Sequence, residues 1–244
     1  MKIYYDFHIH SCLSPCGDED MTPHDLVQMA AILGLDAIAL TDHNACGNCA
    51  AAAEVAHEVG LTFLAGMELC TVEESHIVCL FPTVEKALAF EAVVKPTLPP
   101  VQNRPDIFGE QQLRNAQDEL VGVEPILLTT ASSISVDDVV RLARSFDGTA
   151  FPAHIDRPSY SVTAALGDLP PLGFEVVEIT ASGDVEQLKA QYREIGDKPL
   201  LLNSDAHRLD DINEAAAYLE LPDNTPETII AALNGEIPCC WSRG

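Results

Sequence analysis

Lys2-Ile3-Tyr4-Tyr5-Asp6-Phe7-His8-Ile9-His10 opens the chain and reads as a strand that ends in two histidines. Residues two apart on a strand point to the same side, so His8 and His10 can present two imidazoles to one ion. Neutral imidazole is the commonest metal ligand among side chains. Working outward, Thr41-Asp42-His43, Met67-Glu68, His76, Ala153-His154 and Ser204-Asp205-Ala206-His207 each come just after, or at the start of, a short apolar run with strand character. A single polynuclear metal centre, assembled from many strand ends, accounts for all of them together.

The rest of the chain agrees with an α/β enzyme of barrel size. Its 244 residues are 47% apolar and form no long uncharged apolar stretch, which leaves room for one large core and gives no membrane span. Met1-Lys2 runs directly into the ligand-bearing strand without a basic region and apolar stretch of a signal peptide, so a cytoplasmic location is expected. The formal net charge of -25 repels polyanions, and the few Lys and Arg make no run that could track a nucleic-acid backbone. The expected partner is therefore a small phosphorylated substrate, with neither long nucleic acid nor a membrane. Bound divalent cations would reverse the sign of the potential locally. Among eight cysteines, Cys70 and Cys79 lie in strand-like runs as small hydrophobes, while Cys12, Cys16, Cys46 and Cys49 flank the candidate ligands and are read as ordinary reduced thiols, with a structural zinc or an oxidised pairing as the alternatives.

Strand-like and helical segments alternate, which favours a largely parallel sheet. Thr22-Pro23 caps a helix that ends at Gly34, Asp36–Thr41 is a buried strand, and a helix from Ala50 to Val59 stops at Gly60 before the strand Leu61–Ala65. Ile77–Phe81 is the next strand, and Thr83 caps a helix running toward Val94. Prolines and polar residues between Lys95 and Pro125 mark an inserted segment around residues 95–125, with a hairpin of Gln111–Asn115 and Glu119–Val123. Strand character resumes at Ile126–Thr130, Thr149–Pro152, Phe174–Thr180 and Pro199–Asn203, and two short helices close the chain.

Carboxylate oxygens mixed with imidazoles suit Zn, Mn or Fe, and a carboxylate such as Glu68 can bridge two ions. His8-Ile9-His10, Leu40-Thr41-Asp42-His43-Asn44, Gly66-Met67-Glu68, Pro152-Ala153-His154 and Ser204-Asp205-Ala206-His207, in that order, resemble the motifs of the PHP phosphoesterases, named for polymerase and histidinol phosphatase. The resemblance covers nearly the whole chain. It implies a distorted (β/α)7 TIM-like barrel, one domain over residues 1–244 and two or three divalent metal ions. Carried over, one ion would take His8, His10, Glu68 and Asp205; a second, Glu68, His76 and His154; a third, His43, His207 and a ligand from the loop after the first strand. That loop departs from the family pattern, being stretched to Ser14-Pro15-Cys16-Gly17-Asp18-Glu19-Asp20, and Asp18 is the candidate, with Asp20 as the alternative.

Asp42 is read as a catalytic residue that orients a ligand or relays a proton, and Arg157 as the fork that holds a substrate phosphate. Asn44 and Tyr160 are candidates for lining the pocket, whereas His24 and His57 sit in helices with surface roles. The expected activity is hydrolysis of a nucleotide, a short oligonucleotide end or a phosphometabolite by a metal-activated water. A histidinol-phosphate-type phosphatase and a non-catalytic metal-binding regulatory module are the alternatives. An amidohydrolase also begins with His-x-His, but no lysine stands at a strand end to bridge two metals.

Overall fold

The computed structural model describes residues 1–242. In chain order the elements are β1 (Lys2–Ile9), α1 (Pro23–Ile32), β2 (Ala37–Leu40), α2 (Cys49–Val59), β3 (Thr62–Cys70), β4 (His76–Phe81), α3 (Val84–Val94), α4 (Pro105–Phe108), β5 (Gln112–Arg114) and β6 (Leu120–Val123). There follow α5 (Val136–Arg144), β7 (Thr149–Pro152), α6 (Val162–Leu166), β8 (Val177–Ile179), α7 (Val185–Gln191), β9 (Leu200–Leu202), β10 (Tyr218–Glu220), α8 (Pro226–Leu233) and β11 (Cys240–Ser242). Local chemistry sets the boundaries. The Thr22 and Thr83 hydroxyls accept from the amides of Asp25 and Lys86 to start α1 and α3, and left-handed Gly60 ends α2.

Seven strands in the order β11-β10-β1-β2-β3-β4-β7 form a curled half-barrel. β1, β2 and β3 run parallel, as the alternation predicts. β4 instead returns antiparallel to β3, pairing Cys70 with His76, so the start of β4 lies beside the end of β3. This reversal explains how a histidine at the beginning of a strand joins ligands from the ends of others. The separate parallel pair β8–β9 completes the curve through single links. The Ile155 amide donates to the Glu178 carbonyl (2.9 Å), and Ile9 bridges to Ala206.

The apolar residues divide into two clusters. Ile3, Tyr5, Phe7, Leu64, Val78, Phe151 and Leu201 pack in one cluster with Ile229 and Leu233 of α8. Ile9, Ile38, Leu40, Met67 and Phe81 belong to the other, with the buried faces of α1, α2, α3 and α5. Phe7 and Ile9 are two apart yet fall in different clusters. The register of β1 against β2 shifts between Asp6 and Ile9, so the strand changes its facing at a bulge. Past this point the Nε2 atoms of His8 and His10 lie 3.2 Å apart.

The expected insertion hairpin is present as β5–β6, with Gln112 opposite Val123. Ile126–Thr130 was expected as a strand but forms only a bridge between Gln102 and Ile126. The Leu128 and Thr130 carbonyls are taken instead by the Asn44 side chain (2.7 and 2.9 Å), which removes them from any ladder. Toward the C-terminus, β10 and β11 extend the sheet, and one of the two expected helices is a single 3₁₀ turn at Leu209–Asp211.

Candidate metal centre

His8 and His10 leave the end of β1, Glu68 projects from β3, and His76 begins β4. His43 follows β2 and bridges to Glu68, while His154, Asp205 and His207 lie beyond β7 and β9. Asn44, His154 and Asp205 have φ of 50°, 30° and 52°, a left-handed conformation that non-glycine residues hold only where surroundings impose it. Glu68 is the hub. Its Oε1 lies 2.8 Å from His76 Nδ1, 3.2 Å from His154 Nε2 and 3.3 Å from His8 Nε2; its Oε2 lies 2.9 Å from His43 Nδ1 and 3.4 Å from His10 Nε2. Asp205 Oδ1 completes the deep group, 3.2 Å from His8 Nε2 and 3.1 Å from His10 Nε2.

The surrounding hydrogen bonds assign the imidazole tautomers. His8 Nδ1 sits 3.0 Å from both oxygens of Glu178, which only accept, so Nδ1 carries the proton. Ser14 Oγ donates to Asp42 (2.7 Å) and therefore accepts from His10 Nδ1–H (2.9 Å). His207 Nδ1–H donates to the Asp205 carbonyl (2.8 Å). In its neutral form each of these rings keeps its lone pair on Nε2, and the Nε2 atoms of His8 and His10 face each other. Such an arrangement repels unless a cation stands between them.

Other atoms say the same. Glu68 Oε2, Asp205 Oδ1, His43 Nδ1 and His154 Nδ1 are buried without a hydrogen-bond partner, although a buried polar atom is costly to leave unpaired. Burial favours a neutral Glu68, but the charges of His76, His8 and His43 hold it well below the ordinary carboxylate range. Asp205 is likewise held low, burial being outweighed chiefly by the charge on His8. Burial together with repulsion from His207 and His43 keeps His10 neutral, well below an ordinary imidazole. His8 and His43 are drawn the other way: against burial, Glu178 raises His8 well above an ordinary imidazole and Glu68 brings His43 up to about 10, so a divalent ion that takes these rings as ligands displaces a proton from each. The donor set fits such ions. His8, His10, Glu68 and Asp205 form one group with ligand atoms within 4.8 Å of one another; His43, Glu68 and His76 form a second, and His10, His43 and His207 a third.

The remaining candidates fall in different places. Asp42 is buried behind the cluster, accepting from the Ser11 amide (2.7 Å), Ser11 Oγ (2.6 Å) and Ser14 Oγ. It acts on His10 only through Ser14. Arg157 sits at the mouth with its side chain 42% exposed and a nitrogen 2.5 Å from Asp205 Oδ2. Asn44 has its side-chain polar groups committed to backbone: besides its two donated bonds it accepts from the Cys70 amide (2.9 Å). It thereby pins the stretch that follows the insertion to the end of β3. Asp18 is also displaced. It is exposed, accepts from the Asp20 amide (3.2 Å) and belongs to none of the ligand groups, because its own amide is drawn to the His207 carbonyl (2.9 Å).

Two residues escaped the sequence. Glu178 holds His8, accepts from the His154 amide (3.0 Å) and from Asn203 Nδ2 (2.7 Å), and so fixes two candidate ligands at once. It belongs to the strand-like run Phe174–Thr180, which also holds Glu175, and only the structure shows that Glu178 is the buried one of the two. Cys16 is the other. Burial opposes its ionisation, but hydrogen bonds with His207 and His43 bring the thiol down to about 6.

The sequence pattern of the PHP domain matches residues 6–164. A search of curated proteins by sequence finds no match. Similar solved structures include the lesion-specific endonuclease PfuEndoQ from Pyrococcus furiosus, at 19% identity and a TM-score of 0.70, over 99% of this chain and 58% of that one. Another is an Endonuclease Q complex with a 27-mer duplex substrate carrying an abasic lesion at the active site, at 20% identity and a TM-score of 0.68, over 98% of this chain and 58% of that one. A third, from Bifidobacterium adolescentis and assigned as a metal-dependent phosphoesterase, aligns at 19% identity and a TM-score of 0.59, over 93% and 95% of the two chains. The chain thus spans less than two thirds of the length of the endonucleases. The exclusion of long nucleic acid drawn from net charge does not stand, because this fold serves a protein that holds duplex DNA at its active site. A charge count over the whole surface says nothing of the field inside a cleft whose carboxylates face cations. Among the described residues no helix is long and apolar enough to cross a membrane.

Proposed function

This chain belongs to the PHP domain family of metal-dependent hydrolases, and from that premise we propose that it hydrolyses a phosphoester of a nucleotide, either free or within a nucleic-acid strand. The observation that carries the reading is the convergence of Glu68 with five imidazoles around unpaired buried atoms. Residues 1–244 are taken as one catalytic unit. His8, His10, Glu68 and Asp205 would hold one ion, Glu68 with His76, His43 and His154 a second, and His207 with His43 a third, as Zn, Mn or Fe. When bound, two or three such ions would lower the pKa of a water and offset charge on phosphoryl oxygens.

The chain's own groups supply position. A cavity of about 460 Å³ opens onto His154, Asp205 and His207, and a neighbouring one of about 490 Å³ is lined by Asp156, Ser182, Gln187 and Tyr192. Arg157 lines both and is the one Arg or Lys in either wall among the described residues. Its guanidinium fork suits phosphate oxygens, and the second cavity offers an aromatic ring with hydrogen-bonding groups for a base and sugar. Each cavity is within the range of small-ligand pockets, and their junction at Arg157 fits a phosphate with a nucleoside on one side. The duplex held by a protein of the same fold extends the reading from free nucleotides to strands.

Protein loaded with zinc or manganese should be assayed on mononucleotides, dinucleotides, end-labelled single strands, and duplexes with and without an abasic site, alongside histidinol phosphate and simple phosphomonoesters. Nucleotide-bearing substrates are expected to turn over fastest. Turnover confined to histidinol phosphate or other small monoesters would overturn the substrate class, and no turnover on any member would favour the non-catalytic module.

A further inference from the structure

The loop between β1 and α1 carries a thiol at the place where an acid was expected. Its path is fixed by the backbone: the Ser14 amide donates to the Ser11 carbonyl (3.0 Å), Gly17 to Ser14 (2.9 Å) and Asp18 to His207 (2.9 Å). A Cβ at Gly17 would collide with the Ser11 carbonyl oxygen, so the tight fold immediately after Cys16 requires glycine. Cys16 is therefore held from both sides and lashed to the segment that carries His207. Although the residue is exposed, its thiol lies in hydrogen-bond reach of His207 and His43.

An independent observation marks the same place as a ligand site. Ring nitrogens of His10, His43 and His207 lie within 4.8 Å of one another. His43 is 5% exposed, and His207 keeps Nε2 free of the bond that its Nδ1 makes. Cys16 stands outside the 4.8 Å set, and with His10 engaged by the inner ion, two imidazoles leave an outer tetrahedral ion short of ligands. We propose that Cys16 is the ligand from this loop, closing the outer metal position with His43 and His207 through its sulfur. A thiolate among imidazoles is a soft donor set, so this position prefers zinc, iron(II) or cobalt(II) over magnesium and manganese. The inference rests on reading the cluster as a metal centre, not on any substrate.

Cobalt(II) titration of the metal-stripped full chain tests it, with bound cobalt counted by elemental analysis. The native protein should show thiolate-to-cobalt charge-transfer absorption, lost in Cys16→Ser and in Cys16→Asp. Cys16→Ser should weaken the last cobalt roughly 100-fold, at the upper end of the effect of disturbing a ligand's support. Cys16→Asp should keep the cobalt count and bind manganese better relative to zinc, which also shows that the fold tolerates the change. Asp18→Ala should leave count and spectrum unchanged. A charge-transfer band that persists in Cys16→Ser, a saturated native protein without the band, or loss of the last cobalt in Asp18→Ala would overturn the assignment. Absence of hydrolysis with the band intact would defeat only the proposed function; absence of any bound cobalt would defeat both.

Discussion

The inner half of the centre hangs on strands, whereas the outer half hangs on loops. His8, His10, Glu68 and His76 are each 9% exposed or less; His8, Glu68 and His76 sit on β1, β3 and β4, whose neighbours on both sides are hydrogen bonded, and His10 directly follows β1. Glu178 and the Ser14–Asp42 pair lock His8 and His10 from behind. Cys16, Arg157 and His207 come instead from irregular segments, with the Cys16 residue and the Arg157 side chain open to solvent. Sheet-borne ligands are preorganised whether or not substrate is present, and loops at strand ends are free to vary. The proposed function assigns chemistry to the first region and selectivity to the second.

Breaking the inner half should have the largest effect. Glu68→Ala removes the carboxylate shared by five imidazoles, and turnover should fall on the order of 10³-fold with loss of more than one metal equivalent. Kinetics together with elemental analysis checks this; unchanged metal content would show that Glu68 is not the bridge. Glu178→Gln should weaken metal binding about 10–100-fold without touching the Glu68 hub, as measured by competition with a chelator. An unchanged affinity would mean that His8 needs no support from behind. Arg157→Ala probes the outer half, where loss of a charge-assisted bond should raise KM roughly 10-fold or more at constant metal content. A fall in kcat alone would place Arg157 with the inner group. Asn44→Ala should have the smallest functional effect, costing about 2 kcal/mol of stability from its buried bonds while KM holds steady, by chemical denaturation and kinetics in parallel.

The same division decides what could be read from the sequence. His8 and His10 are two apart on one strand, and Glu68 and His76 flank the turn of an antiparallel pair, so short-range periodicity carried them. The helix starts at Thr22 and Thr83 and the stop at Gly60 were equally local. Asp18 and Cys16 are two residues apart in a loop with no period, and which one meets His207 depends on a backbone bond across the barrel. Glu178 was hidden for another reason: its partners His8, His154 and Asn203 lie on other elements. Asn44 stood in a motif, but the carbonyls that take its amide belong to Leu128 and Thr130, more than 80 residues along the chain. The bulge between Asp6 and Ile9 likewise left no trace in a run that reads as an ordinary strand.

Metal-stripped protein titrated with zinc or manganese, following bound metal and cleavage of an end-labelled oligonucleotide in one experiment, tests the central claim most directly. Turnover should be absent without metal and should rise as the second ion binds per chain, because the shared Glu68 couples the two inner positions. Equal turnover in stripped protein, or a fully loaded chain that cleaves no phosphoester, would contradict it.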